Sequence, residues 1–234
     1  MEVAGSKQVF TENLTKVRPG PFLKMTKAEE LEKEQLELAR KVVKHDAYSK
    51  LELIGGLDVR ILEDKVICSI AVCNYRDMQV LEHVLAEKEC KIRYLPGFRA
   101  QNELGIMIEA FNKLKRKPDV LLINASGTLH PRKCGLASHL GVILDQPVIG
   151  VTKNLLCGKN KDGYIILDNE VVGRAILTKE KTKPLFVSIG HRVSLDKSIE
   201  IVKNCMKPEH KLPEPIILAQ EIIKKETNRL NLNS

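Results

Sequence analysis

The stretch Pro118–Lys153, PDVLLINASGTLHPRKCGLASHLGVILDQPVIGVTK, decides the predicted fold. Its residues 119–123 form a short apolar run with the length and composition of a buried strand, and the run stops at Asn124. A helical pattern follows, and a second buried-strand run at 147–151 ends close to Lys153. Strands joined by a helical crossover are parallel, and open α/β sheets hold their sites at the carboxyl ends of such strands. The stretch therefore predicts a site at this edge of a sheet.

Three further apolar runs precede this stretch, at 51–62, 66–75 and 79–86. The connections between them are short enough for hairpins, which predicts an antiparallel meander. Together with the parallel strands, the meander makes an α/β fold with a mixed sheet flanked by helices. Asp58 is a carboxylate within the first run. It either faces the surface of an alternating strand or lies beside Asn124, if the two strands are neighbours.

The rest of the chain predicts one domain. A hairpin over 164–177, a last strand at 184–188 and two further helices complete the element order. We expect a single domain over 26–228, which is long enough to bury a sizeable core. Residues 1–25 are polar with a Pro-Gly-Pro turn and are expected to form an extension, and 229–234 a short tail.

Composition limits the class of protein and its partners. The net charge of +8 and pI of about 9.1 favour a polyanionic partner such as nucleic acid. The alternative is a basic surface without such a partner. No run reaches the roughly 20 apolar residues that span a bilayer, and the N-terminus lacks a signal-peptide pattern. We expect a cytoplasmic monomer that does not bind membranes, with reduced cysteines because no C-x-x-C pair is present.

Polar residues at the predicted strand ends and helix starts suggest a metal site. Asp58 and Glu103 supply carboxylates and Asn124 a carboxamide oxygen, which are ligands suited to Mg²⁺. His191 and Lys153 follow later strands and are candidates to orient water or to meet negative charge on a phosphate. The alternative is that these are unrelated polar residues, each satisfied locally.

Longer motifs favour the first interpretation. The blocks LELIGGLDV, RYLPGF followed by a glutamate, GTLHPRKCGLASHLGV, PVIGVTK and SIGHRVSL resemble the Endonuclease V family in order and spacing over about 26–223. The resemblance implies a ribonuclease H-like fold and a DNA-repair nuclease that depends on Mg²⁺, for which Mn²⁺ can substitute. It further implies recognition of deaminated bases, mainly inosine or deoxyinosine. Cleavage is then expected one phosphodiester beyond the lesion on its 3′ side.

The resemblance also assigns roles to residues. Asp58 matches the first metal carboxylate and Glu103 the second acidic residue, while His191 and Lys153 match the active-site histidine and lysine. The matched substrate-binding residues are a wedge that separates the strands at the lesion (Tyr94, Leu95, Pro96 and Gly97) and a loop near the flipped base (Gly127 and His130). Inserting a wedge costs a few kcal/mol of unstacking, and least at a mispaired base.

The chain departs from the family pattern at a metal position. Where the family has Asp-Gly-x-Gly this chain has Asn124-Ala125-Ser126-Gly127, and the segment Arg99–Asn102 also differs. An amide oxygen still binds Mg²⁺, but with a dipole instead of a charge. Two hypotheses follow: a slow Mg²⁺-dependent endonuclease, or a protein that binds inosine-containing DNA or RNA without cutting it. A generic nucleotide-binding domain is disfavoured because no Gly-rich phosphate loop is present.

Overall fold

The computed structural model describes residues 27–62, 65–89, 100–178 and 183–232. Within these residues the chain forms five helices and nine strands. They are α1 (Lys27–Lys41), β1 (Leu53–Ile61), β2 (Lys65–Asn74), β3 (Val80–Glu89), α2 (Ala100–Lys113), β4 (Val120–Ile123), α3 (Leu136–Leu144), β5 (Val148–Thr152), β6 (Lys159–Lys161), β7 (Tyr164–Leu167), β8 (Glu170–Ile176), β9 (Leu185–His191), α4 (Leu195–Asn204) and α5 (Glu214–Leu232).

All the strands join one mixed sheet of nine, in the order β3-β2-β1-β4-β5-β9-β8-β7-β6. β1 pairs with β4, and β4 with β5, in parallel, whereas every other neighbouring pair is antiparallel. The predicted meander and the predicted parallel strands are therefore confirmed. The central strands carry almost continuous apolar runs because helices cover both faces of the sheet.

The two faces of the sheet hold separate cores. Leu57 and Ile123 point to the face that α2 and α3 cover, where they pack with Met107 and Leu140. Alternate residues of the same strands, such as Ile54 and Leu122, point to the face that α4 and α5 cover. Because side chains alternate, Asp58 and Asn124 share the second face with these last two residues.

Gly56 allows α5 to approach the sheet closely. A Cβ at Gly56 would lie 2.0 Å from the carbonyl carbon of Pro215, which is backbone that cannot turn aside. The glycine therefore lets the first turn of α5 lie directly on β1. This contact fixes where the rest of α5 crosses the sheet.

Several element boundaries differ from those predicted. α5 continues through 229–232, which the sequence assigned to a tail, and β9 extends to His191. β6 was not predicted, because its three residues are exposed and polar and carry no apolar alternation. Its strand conformation depends on pairing with β7. Across the described ranges, the helices lack the combination of length and apolarity that a membrane span requires.

Candidate metal and nucleic-acid site

Asp58, within β1, meets Asn124, which directly follows the neighbouring parallel strand β4. Leu57 and Ile123 are Cα partners in the β1–β4 ladder, so the residues that follow them lie side by side. Asn124 Nδ2 donates a hydrogen bond to Asp58 Oδ1 at 2.8 Å, and Asn124 N donates to the Leu57 carbonyl at 3.2 Å. The fold therefore brings together two predicted metal ligands that are 66 residues apart in sequence.

The orientation of the Asn124 amide matters for its chemistry. Its N–H group, a donor with partial positive charge, faces the Asp58 carboxylate. The amide therefore occupies the side of Asp58 Oδ1 from which a cation would bind. A cation shared by both residues requires the amide to turn about its last torsion, so that Asn124 Oδ1 faces Asp58.

Glu103 lies at the same end of the sheet. It is in the first turn of α2 and is only 2% exposed, and α2 leads back to the start of β4. The pKa of the buried Cys68 thiol on β2 is raised well above its usual value by burial and by the nearby charges of Asp58, Glu103 and Glu109. Asp58 and Glu103 therefore share one neighbourhood around this thiol.

Lys153 directly follows β5 and is exposed. Because β5 is parallel to β4, the lysine emerges at the edge where Asn124 ends its own strand. A flexible ammonium at this position suits a contact with a phosphate of a bound nucleic acid.

His191 lies at the opposite end of the sheet from Asp58, so the structure does not bring these two predicted site residues together. β9 is antiparallel to β5, and His191 is the Cα partner of Val148, the first residue of β5. Its Nδ1 accepts a hydrogen bond from Val43 N, and its Nε2 lies 3.3 Å from Asp145 Oδ1. Burial lowers the pKa of His191, although Asp145 opposes the shift. The ring therefore ties together chain segments far from the metal ligands.

The loop between β4 and α3 holds Gly127 and His130. A Cβ at Gly127 would lie 2.0 Å from the Ile189 carbonyl oxygen, and Gly127 N donates to Ser188 Oγ at 2.9 Å. His130 is 4% exposed, and its Nδ1 accepts a hydrogen bond from Arg132 N at 3.3 Å. In the neutral ring the proton is then on Nε2. The loop is thus held against β9 and by a hydrogen bond within itself.

α1 supports this loop from outside. The Arg132 guanidinium donates to Gln35 Oε1, which is buried, and pairs with Glu32 at 3.0 Å. The predicted wedge, Tyr94–Gly97, lies outside the described residues. The structure therefore places the base-loop residues but not their wedge partners.

Ser69 is a neighbour of Asp58 that the sequence analysis missed. It is the Cα partner of Asp58 in the β1–β2 ladder and is fully buried. Its Oγ has no hydrogen-bond partner within the described ranges. The available signal was a lone hydroxyl in the apolar run KVICSIAVCN of β2.

Gln220 of α5 was also missed. Pro215 lies on Gly56, two residues before Asp58 on the same face of β1. Gln220 lies five residues further along α5, a helix that packs on β1 and β2. The helix side that carries Ile222 lines a groove with β3, so the half-buried Gln220 is on the side nearer β4. Sequence alone gives no signal for this placement.

The residues around Asp58 fit a hard divalent cation that keeps most of its water. The oxygen donors are the Asp58 carboxylate and the Asn124 amide, and the Glu103 carboxylate lies at the same end of the sheet. In the part of the chain that the structure describes, no group of three or more His, Cys, Asp or Glu could hold a metal ion. Cation binding at this site would therefore depend on neutral oxygens.

Comparison with known proteins agrees with this geometry. The Endonuclease V family model matches residues 36–221. Endonuclease V of Dictyoglomus thermophilum is 39% identical over 215 residues, which cover 88% of this chain and 94% of that protein. The structure of Endonuclease V from Bacillus subtilis aligns with a TM-score of 0.82 at 29% identity, covering 90% of this chain and 96% of that chain.

A further neighbour has been solved with nucleic acid. Ciona intestinalis Endonuclease V, in complex with a 24mer DNA containing an inosine followed by a ribo-adenosine, aligns with a TM-score of 0.72 at 30% identity. It covers 86% of this chain and 98% of that chain. These structural neighbours confirm the predicted ribonuclease H-like fold. The match over most of the chain, in sequence and in structure, shows that the chain belongs to the Endonuclease V family of nucleases.

Proposed function

We propose that this protein is a Mg²⁺-dependent endonuclease that acts on nucleic acid containing inosine or deoxyinosine. It cuts one phosphodiester beyond the modified base on the 3′ side, and Mn²⁺ substitutes for Mg²⁺. The observation that carries the proposal is the contact between Asp58 of β1 and Asn124 at the carboxyl end of β4. Family membership and the inosine-containing DNA bound by the Ciona relative support the same substrate class.

Each residue of the site has a defined task in this proposal. Asp58 and Asn124 hold the cation, and Glu103 orients the water around it. When bound, Mg²⁺ supplies Lewis-acid polarisation of the phosphodiester and lowers the pKa of a coordinated water. Lys153 binds a phosphate next to the one that is cut. His191 has no direct task, because it lies at the other end of the sheet.

The loop that holds Gly127 and His130, called the base loop, provides specificity for the modified base. His130 accepts at Nδ1, so its Nε2 is a donor. Such a donor suits O6 of hypoxanthine, an acceptor, and opposes the exocyclic amino group of adenine, a donor. Gly127 keeps the backbone close to β9, and Tyr94–Gly97 separate the strands. A flipped base is therefore read by its hydrogen-bonding edge.

A second candidate function is binding of inosine-containing nucleic acid without cleavage. The specific observation in its favour is that an amide N–H, not a cation-binding oxygen, faces Asp58. With few anionic ligands, cation binding is weak, whereas the base loop is complete.

One experiment separates the two functions. The protein is incubated with matched DNA and RNA oligonucleotides that carry inosine or adenosine at one position, in Mg²⁺, Mn²⁺ or EDTA. Cleavage that requires the cation and inosine supports the nuclease, and the product length reports the position of the cut. Preferential binding of inosine strands without cleavage supports the binding protein. Equal binding of inosine and adenosine strands, with no cleavage, would contradict both.

A further inference from the structure

We propose that Ser69 is a positioning residue for Asp58 in the cation-bound protein. In the cation-free protein Asn124 donates a hydrogen bond to Asp58, and on cation binding the Ser69 hydroxyl takes over as the donor. This inference rests on the proposed cation site. It gives a role to the buried Ser69 hydroxyl, which has none in the site described above.

The ladder between β1 and β2 places Ser69 within reach of Asp58. The two residues are directly opposite Cα partners, so their side chains project from the same face of the sheet. In antiparallel pairs the Cβ atoms of opposite residues are about 4.5–5.5 Å apart. At this separation the Ser69 hydroxyl, turned about its single side-chain torsion, comes within hydrogen-bonding reach of the carboxylate that extends from the opposite residue.

The surroundings of Ser69 explain why its hydroxyl needs this partner. Ile67 and Ala71, which flank it on the same face of β2, are fully buried and apolar. Ser69 itself is 0% exposed, and its Oγ has no hydrogen-bond partner in the described parts of the chain. A buried hydroxyl without a partner is unfavourable, and native proteins rarely retain one. Asp58 is the ionisable residue directly opposite Ser69 on the neighbouring strand β1.

Cation binding changes which donors reach Asp58. Asn124 Nδ2 now donates to Asp58 Oδ1 at 2.8 Å. For Asn124 Oδ1 to face the cation, the amide must turn, and this hydrogen bond is lost. The Ser69 hydroxyl then replaces it, so Asp58 keeps a fixed orientation towards the ion. One hydrogen bond is exchanged for another, and no covalent bond changes.

The exchange predicts opposite effects on stability and on cation binding. In the cation-free protein the hydroxyl contributes no hydrogen bond, so its removal leaves the melting temperature unchanged or higher. In the cation-bound protein it orients a ligand, so its removal weakens binding. A hydroxyl with a purely structural role would instead lower the melting temperature and leave cation affinity unchanged.

The test compares Ser69→Ala with the control Ser198→Ala. Ser198 is also fully buried, but its Oγ donates to the Ser194 carbonyl at 2.7 Å, far from Asp58 in the fold. Mn²⁺ affinity is measured by calorimetry and the melting temperature in EDTA. We expect Ser69→Ala to weaken Mn²⁺ binding about tenfold, or about 1.4 kcal/mol, without a lower melting temperature. Ser198→Ala should melt a few degrees lower and bind Mn²⁺ as the parent does.

Asp58→Asn separates failure of this inference from failure of the proposed site. If Asp58→Asn abolishes Mn²⁺ binding while Ser69→Ala binds as tightly as the parent, the role of Ser69 is refuted and the cation site stands. If Asp58→Asn binds Mn²⁺ as the parent does, the proposed cation site is itself refuted, and the role of Ser69 with it.

Discussion

Replacing Asn124 by Asp tests the weakest part of the proposed site. The change puts a second carboxylate where an amide now lies 2.8 Å from Asp58 Oδ1. At an effective dielectric constant of 20, two unit charges at this distance repel by roughly 6 kcal/mol, and solvent at the half-buried Asp58 reduces this. The cation-free variant should therefore be less stable than the parent.

A bound cation reverses this effect. The same two carboxylates that repel each other both attract Mg²⁺, so the variant should bind the ion more tightly than the parent does. We expect the melting temperature of Asn124→Asp to rise with added Mg²⁺ by more than that of the parent. We also expect at least tenfold faster cleavage of an inosine oligonucleotide, which corresponds to about 1.4 kcal/mol of transition-state stabilisation.

The assay measures single-turnover cleavage and melting in Mg²⁺, in Mn²⁺ and in EDTA. The matched control is Asn169→Asp, which adds the same charge at an exposed turn with a positive φ of 61° that aspartate tolerates. The control should leave both measurements unchanged. If Asn124→Asp is no faster than the parent and shows no additional Mg²⁺-dependent stabilisation, the metal site described above is wrong.

Four further predictions concern the base loop, pH, the wedge and salt. Gly127→Ala should lower the free energy of unfolding by about 3 kcal/mol in chemical denaturation, because its Cβ would meet the Ile189 carbonyl oxygen. Burial lowers the pKa of both His139 and His191. The free energy of unfolding should therefore be highest above about pH 6.5 and fall as the pH decreases below that value. Urea titrations over this pH range test the prediction, and a free energy of unfolding that does not change with pH would contradict it. Tyr94→Ala should weaken binding to inosine strands by about 1–3 kcal/mol at an unchanged melting temperature. Binding to unmodified DNA should weaken linearly on a log–log plot against salt, and a salt-independent affinity would exclude a phosphate-dominated contact.

The sequence by itself determined the mixed sheet and the family of the chain, and it made a contact between Asp58 and Asn124 one of two alternatives. Short apolar runs predicted the strands, and short or helical connections predicted which pairs are antiparallel or parallel. The family motifs, which lie on this framework, predicted the nuclease family that the comparisons show.

Only the tertiary structure decided where His191 lies and what surrounds Asp58. His191 was grouped with Asp58 and Asn124 because it also follows a predicted strand, but β9 is antiparallel to β5 and therefore ends at the opposite edge. The direction of a strand depends on its long-range partner, and local pattern does not record it. The same holds for Ser69, Gln220 and the orientation of the Asn124 amide. Each is set by packing between elements distant in sequence, where pairing and burial decide which polar groups meet.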